Sequence, residues 1–241
     1  MSKSAIYAAY GITYKAGKIT LPDGTTAAPL LKRGNAKLAK GVFTWSMAPV
    51  YSCPSCRKYG CGRINPETGK PDGTCYAIKA YKMYPTCKAA WDRNFTLAAH
   101  HGEWLRNALI AQIKADNATM VRVHVAGEFF RSDYVAMWAA IASACPDVRF
   151  WTYTKSYGVS AKLDSALDAL KALPNFNIVD STPCGRKNYG SAEYLSELVD
   201  ELLKVGKQSF ICPCAAGNDG AQCGTACTAC ATMENVLFLE H

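Results

Sequence analysis

Apolar and polar positions follow two different periods along this chain, and the switches between them mark its elements. Val42-Phe43-Thr44-Trp45-Ser46-Met47 is β-branched and aromatic and predicts a strand. It runs through Pro49 into residues 53–75, which are rich in Gly, Pro, Asn and Asp, show no apolar period and are expected to form a long loop. A loop of that length in a compact chain needs something to order it. From about Lys88 to Lys114 the period becomes helical, carried by Trp91, Phe95, Leu97, Trp104, Leu105, Leu109 and Ile113, with Gly102 as the expected break. Residues 120–126 alternate and predict a second strand, ended by Gly127-Glu128. Ser132-Asp133 is expected to cap a helix, and residues 148–153 predict a third strand. Ser160 opens the next helix, residues 176–180 form a fourth strand, and Ser191 caps a helix through Lys204. Residues 208–212 and 236–239 read as short fifth and sixth strands.

Strand and helix alternate with short connections, the pattern of parallel β/α architecture. Five to six such units predict an α/β fold built as a partial (β/α) barrel, open rather than closed and eight-fold. Residues 1–41, with a turn signal at Pro22-Asp23-Gly24, are expected to be an N-terminal arm or hairpin. Residues 42–207 would form the barrel, with a first metal loop at 53–75, and residues 208–238 a cysteine-rich C-terminal extension. Leu239-Glu240-His241 reads as a tag remnant. No internal repeat or separating linker is evident.

Cysteine usage changes this picture most. The chain has 12 cysteines in 241 residues, and they fall in two bursts. The first is Cys53, Cys56, Cys61, Cys75 and Cys87; the second is Cys212, Cys214, Cys223, Cys227 and Cys230. The start lacks an apolar run of signal-peptide length, and no stretch nears the roughly 18 apolar residues of a membrane span. A soluble, cytoplasmic, reducing setting without membrane contact is therefore expected, and in it clustered thiolates hold metal more readily than they form disulfides. The formal charge of +8 points weakly to nucleic acid, because the basic residues are dispersed into short pairs such as Lys32-Arg33. Two iron–sulfur clusters of about −2 each would lower that charge further.

Strand C-termini line the active face of parallel β/α folds. The first burst follows the first strand and Gly127-Glu128 follow the second, so both are expected on that face. His124, four residues before Glu128, would share its side of the strand by alternation, although a satisfied core histidine is the plainer reading. Lys155 lies just past the third strand and points to the same rim, as a candidate anion ligand. Arg93 and Asn94, on the helix after the loop, could hydrogen-bond cluster sulfurs or a ligand.

This order resembles the radical S-adenosylmethionine superfamily. There, three cysteines after the first strand hold a 4Fe-4S cluster, and a Gly-Gly-Glu-like element after the second strand holds the methionine amino group. Ala126-Gly127-Glu128 stands at that place. The compact three-cysteine run is missing, and Cys53-Pro-Ser-Cys56, Cys61 and Cys75-Tyr76-Ala77 stand instead.

A closer resemblance is to the phage family called gene product 88. It rests on Trp45-Ser46, Ser52-Cys53-Pro54, Cys75-Tyr76-Ala77, Trp91-Asp92-Arg93-Asn94-Phe95, His124 to Phe129, Tyr153 to Ser156 and Cys212-Pro213, in that order, across about residues 42–232. The resemblance implies architecture and metal more than a reaction. It makes Cys53, Cys61 and Cys75 cluster ligands, with Cys56 as a fourth that would close the cluster, or as a spare that leaves one iron open.

In the second burst, Cys212, Cys223, Cys227 and Cys230 are expected ligands and Cys214 the spare. The small spacers between them suit a cluster better than a zinc ribbon. Cys184, after the fourth strand, could join either group or face the central cavity; Cys145 reads as a buried bystander and Cys87 could be either. The expected function is a phage-type iron–sulfur protein on a radical-SAM-like scaffold with one or two clusters. Glu128 and Lys155 are its candidate catalytic groups; Gly127, Glu128, Arg93 and Asn94 are its cofactor-binding groups. S-adenosylmethionine, an electron donor and an unidentified small molecule are candidate ligands and partners. The alternative is a zinc-binding nucleic-acid interaction protein.

Overall fold

The computed structural model describes residues 1–35, 38–181, 189–213, 223–224 and 227–239. A helix α1 (Lys3–Ala8), capped by the Ser2 hydroxyl, leads into an antiparallel meander of β1 (Tyr14–Lys15), β2 (Lys18–Thr20) and β3 (Thr26–Ala27). Next come β4 (Lys32–Asn35) and the long β5 (Leu38–Trp45). The first cysteine segment contains a short helix α2 (Cys56–Tyr59) and a hairpin, β6 (Arg63–Ile64) with β7 (Pro71–Asp72). Three helices follow: α3 (Tyr76–Met83), α4 (Pro85–His100) and α5 (Gly102–Ala115). The chain then alternates β8 (Met120–Val123), α6 (Ser132–Ala144), β9 (Arg149–Thr154), α7 (Ala161–Lys171) and β10 (Phe176–Asp180). It closes with β11 (Tyr189–Gly190), α8 (Ala192–Lys204), β12 (Ser209–Ile211), a 3₁₀ turn at Ala229–Ala231 and β13 (Asn235–Leu239).

The main sheet has the order β10-β9-β8-β5-β4. β5, β8, β9 and β10 are parallel, and β4 is an antiparallel edge. Each parallel strand adds on the same side of its predecessor, and right-handed crossovers then put the connecting helices on one face. Alternation along the strands divides the side chains between the two faces. Phe43, Trp45, Val121, Val123, Phe150, Phe176 and Ile178 join the helix-side core with Leu105, Leu109, Trp138 and Leu167. Val42, Trp151 and Val179 face the other way, and the C-terminal segment covers them with Cys212, Cys230 and Val236. That second face carries the candidate site.

Several expectations are corrected here. The fold is α/β with a parallel-containing sheet, but it is an open five-stranded sheet, and no barrel forms among the described residues. The expected fifth and sixth strands, β12 and β13, pair in parallel with each other in a separate sheet, where β11 pairs with the other edge of β13. After β10 the chain folds back over the sheet face instead of extending its edge. Within residues 1–41, expected as an arm or hairpin, β2 and β3 do form a hairpin across Pro22-Asp23-Gly24, but the segment is no free arm: Tyr7, Ile12 and Ile19 are buried in the main core and β4 pairs with β5. Residues 53–75 contain ordered elements rather than one long loop. Cys184, Cys214 and the last two residues of the expected tag remnant lie outside the described residues.

Candidate metal centre

The first cysteine segment is held by groups on every side of it. Asn94, buried on α4, donates from Nδ2 to the Ser46 carbonyl at 2.9 Å and so fixes the chain as it leaves β5. The Lys58 ammonium donates to the Gly158 carbonyl at 2.8 Å, and the Tyr59 hydroxyl to the Tyr157 carbonyl at 3.2 Å, tying α2 to the loop after β9. Gly127 has φ +90°, and a Cβ there would stand 2.8 Å from the Ser52 hydroxyl and 3.0 Å from the Met47 Cβ. Glycine therefore lets the turn that follows β8 press against the chain one residue before Cys53.

These anchors place Cys53, Cys56, Cys61 and Cys75 on one wall of a cavity of about 850 Å³. Cys212, Cys223 and Cys230 line the same cavity from the C-terminal segment. The two bursts, expected as separate sites, converge on a single space. The second group is fastened to the sheet. The Ala39 amide donates to the Cys223 carbonyl at 2.9 Å, Asn177 Nδ2 donates to the Cys230 carbonyl at 2.9 Å, and the Tyr153 hydroxyl donates to the Cys230 sulfur. Cys227 is half-buried but does not line the cavity, and Cys87 lines a smaller cavity of about 160 Å³ with Trp91 and Asn94. Cys145 is buried in the helix-side core, as a bystander would be. Arg93 lies outside the large cavity and donates to the Asn94 side chain, so this pair buttresses the cysteine segment from behind.

The thiols perturb one another. Cys56 and Cys61 have their sulfurs 3.4 Å apart. Hydrogen bonding to Cys53, then burial, push the Cys56 thiol up to about 12; hydrogen bonding to Cys56, then burial, raise Cys61, and burial raises Cys75. Across the cavity the Cys230–Cys223 hydrogen bond favours the thiolate on Cys223, with Arg122 adding to it, and raises Cys230. Buried thiols that resist ionisation one by one are a donor set that a cationic centre would ionise together. Among the described residues no three Cys, His, Asp or Glu side chains converge closely enough for one metal ion, so ligation would draw these thiols inward.

Glu128 stands between the cysteine wall and β9. Its carboxylate accepts from the Thr154 hydroxyl at 2.7 Å, the Lys155 amide at 3.1 Å and the Ser156 hydroxyl at 3.1 Å. Burial outweighs these bonds and raises its pKa to about 7. A carboxylate offers about four acceptor positions, so three bonds leave one free. Lys155 lines the cavity beside it.

His124 departs from the expected alternation. The strand stops at Val123, and His124 takes a left-handed φ of +63°, so period two no longer applies to its side chain. Its ring packs against Phe129 and Tyr134, with Nε2 2.9 Å from the Tyr134 hydroxyl. That hydroxyl also accepts from Trp45 Nε1 at 2.9 Å, so one oxygen joins the indole and the imidazole. Burial lowers the His124 pKa to about 3, so the ring is neutral.

Sequence reasoning passed over Arg122 and Tyr153, which both line the cavity. The signal was present, since Arg122 alternates with Val121 and Val123 on a strand whose two faces are both covered. A charged residue on such a strand cannot face bulk water.

The family described as Gene product 88 matches residues 29–201 of this chain. The Gene 88 protein of Mycobacterium phage L5 is 25% identical, over 78% of this chain and 82% of that protein. The Gene 88 protein of Mycobacterium phage D29 is 27% identical over 44% of this chain and 43% of that protein. No solved structure matches.

Proposed function

The chain belongs to the gene product 88 family, and we propose that it is an iron–sulfur protein in which both cysteine groups serve one ligand cavity. The observation that carries this reading is the convergence of Cys53, Cys56, Cys61 and Cys75 with Cys212, Cys223 and Cys230 on a single space. An iron–sulfur cluster supplies one-electron chemistry when bound, and an iron without a thiolate supplies a Lewis-acid position. The two thiol walls would hold such clusters, and the cavity between them would exclude bulk water from the ligand.

Glu128, with its pKa near 7, can hold or release a proton at neutral pH, or take an amino group on its free acceptor position. S-adenosylmethionine carries such an amino group and is the co-substrate this reading favours, with an electron donor as partner. The stepwise order β5-β8-β9-β10 is that of a barrel segment, which supports a distant relation to radical-SAM proteins. The similar Gene 88 proteins come from mycobacteriophages, which supports the cytoplasm of an infected cell as the proposed setting. No helix among the described residues is long and apolar enough to cross a membrane.

The test is anaerobic purification with iron and acid-labile sulfide assays, followed by S-adenosylmethionine cleavage after chemical reduction. Iron and sulfide in matching amounts are expected; a colourless, zinc-only protein would overturn the reading. One observation favours the zinc alternative. The Cys56 and Cys61 sulfurs stand 3.4 Å apart, close to the separation of about 3.8 Å between two thiolates on one tetrahedral zinc. A zinc-binding nucleic-acid protein would also show salt-dependent DNA or RNA affinity.

A further inference from the structure

We infer that the cavity is also a binding site for a small organic anion, an aromatic or apolar molecule bearing a carboxylate or phosphate, with Arg122 as its principal anchor. Arg122 projects from β8 onto the sheet face covered by the C-terminal segment. Its Nε is closed off from solvent and has no hydrogen-bond partner. Its guanidinium lies 5.4 Å from the centre of the Tyr153 ring, which holds it without using its N–H donors. A buried guanidinium nitrogen left unpaired is costly, and a planar anion that accepts from its fork would remove the cost.

Charge and shape support the same ligand class. Lys155 is a second cation on the lining, and among the described residues neither it nor Arg122 has an ion-pair partner. Among the described residues Glu128 is the one carboxylate lining the space, and it is already engaged by Thr154, Lys155 and Ser156. The remaining wall includes Tyr76, Trp151, Tyr153 and Phe238, flat surfaces suited to an apolar body. A volume of about 850 Å³ falls within the range of small-molecule sites, roughly 300–1,000 Å³. The competing role for Arg122 is to offset thiolate charge at Cys223.

Titration of the full chain with phenyl phosphate and with benzoate, followed by tryptophan fluorescence, tests this, with benzyl alcohol as the neutral probe. Metal content is measured on every sample, so the anion result stands or falls apart from the iron–sulfur reading. Saturable binding of at least one anion, and none of benzyl alcohol, is expected. Arg122→Gln should weaken it at least about tenfold, Lys155→Met should weaken it less, and Arg122→Lys should recover part of the loss. Metal content should be unchanged in all three. The inference is overturned if the wild-type chain binds neither anion. It is also overturned if Arg122→Gln binds as the wild type does, or if that variant loses metal while keeping its anion affinity. Should Arg122→Gln fail to fold by circular dichroism, unchanged affinity in Lys155→Met overturns it instead.

Discussion

Cys75 donates its backbone N–H to the carbonyl of Cys61 at 2.9 Å, although 13 residues lie between them in the chain. The β6–β7 hairpin loops those residues out and returns the chain to its starting point. An Asx turn closes the hairpin tip, where the Asn65 carboxamide oxygen accepts from the amides of Glu67 at 2.9 Å and Thr68 at 3.1 Å. A spacing that looks irregular in sequence thus becomes a compact group in space.

Gly73 is the position that permits this contact. Its φ is +130°, and a Cβ there would stand 2.8 Å from the Cys61 carbonyl oxygen, which is backbone and cannot swing aside. Gly73→Ala should destabilise the fold by about 1–3 kcal/mol and reduce bound metal. Glu67→Ala, at the exposed tip, should stay within about 0.5 kcal/mol of wild type. Urea unfolding and metal assay of both variants check the contrast.

Glu128 gives stability a defined pH dependence. Its folded pKa is raised from 4.5 to about 7, so between those values the native state holds more protons than the unfolded one. Its contribution is therefore fully present below about pH 4.5, declines as pH rises, and levels off above 7. The slope from this group is at most about 1.4 kcal/mol per pH unit. Glu128→Gln should flatten the urea-derived stability profile between pH 5 and 7; a variant with the wild-type slope would contradict the assignment.

The Trp45–Tyr134–His124 chain predicts a neutral, untitrated imidazole. In nuclear magnetic resonance spectra of the folded protein, His124 should keep its neutral signature at pH 5, since burial holds its pKa near 3. Tyr134→Phe would leave Trp45 Nε1 without an acceptor and His124 Nε2 without a partner, both buried. A loss of roughly 2–4 kcal/mol is expected in chemical denaturation.

Much of the fold was legible because its signals are local. Ser160 and Ser191 were expected as caps, and their hydroxyls accept from Leu163 and Tyr194 at 3.3 and 3.2 Å. The parallel strands β5, β8, β9 and β10 followed from β-branched and aromatic runs. What escaped depends on distant partners. β6 and β7 are two residues each and carry no apolar period, so their pairing rests on turn chemistry. The fate of β12 and β13 was hidden because a short apolar run does not say which edge it will join. The left-handed turn at His124 left no trace in an otherwise regular alternation. Candidate ligands were visible as cysteines, but their meeting in one cavity depends on the C-terminal segment folding back over Trp151 and Val179.

The most direct test of the central claim is the Mössbauer spectrum of protein prepared anaerobically with isotopically enriched iron, for the wild type and for Cys61→Ser and Cys230→Ser. Iron–sulfur signals that change in both variants, one from each cysteine group, are the predicted result. A spectrum without cluster iron, or one altered by Cys61→Ser and untouched by Cys230→Ser, would contradict a single cavity served by both groups.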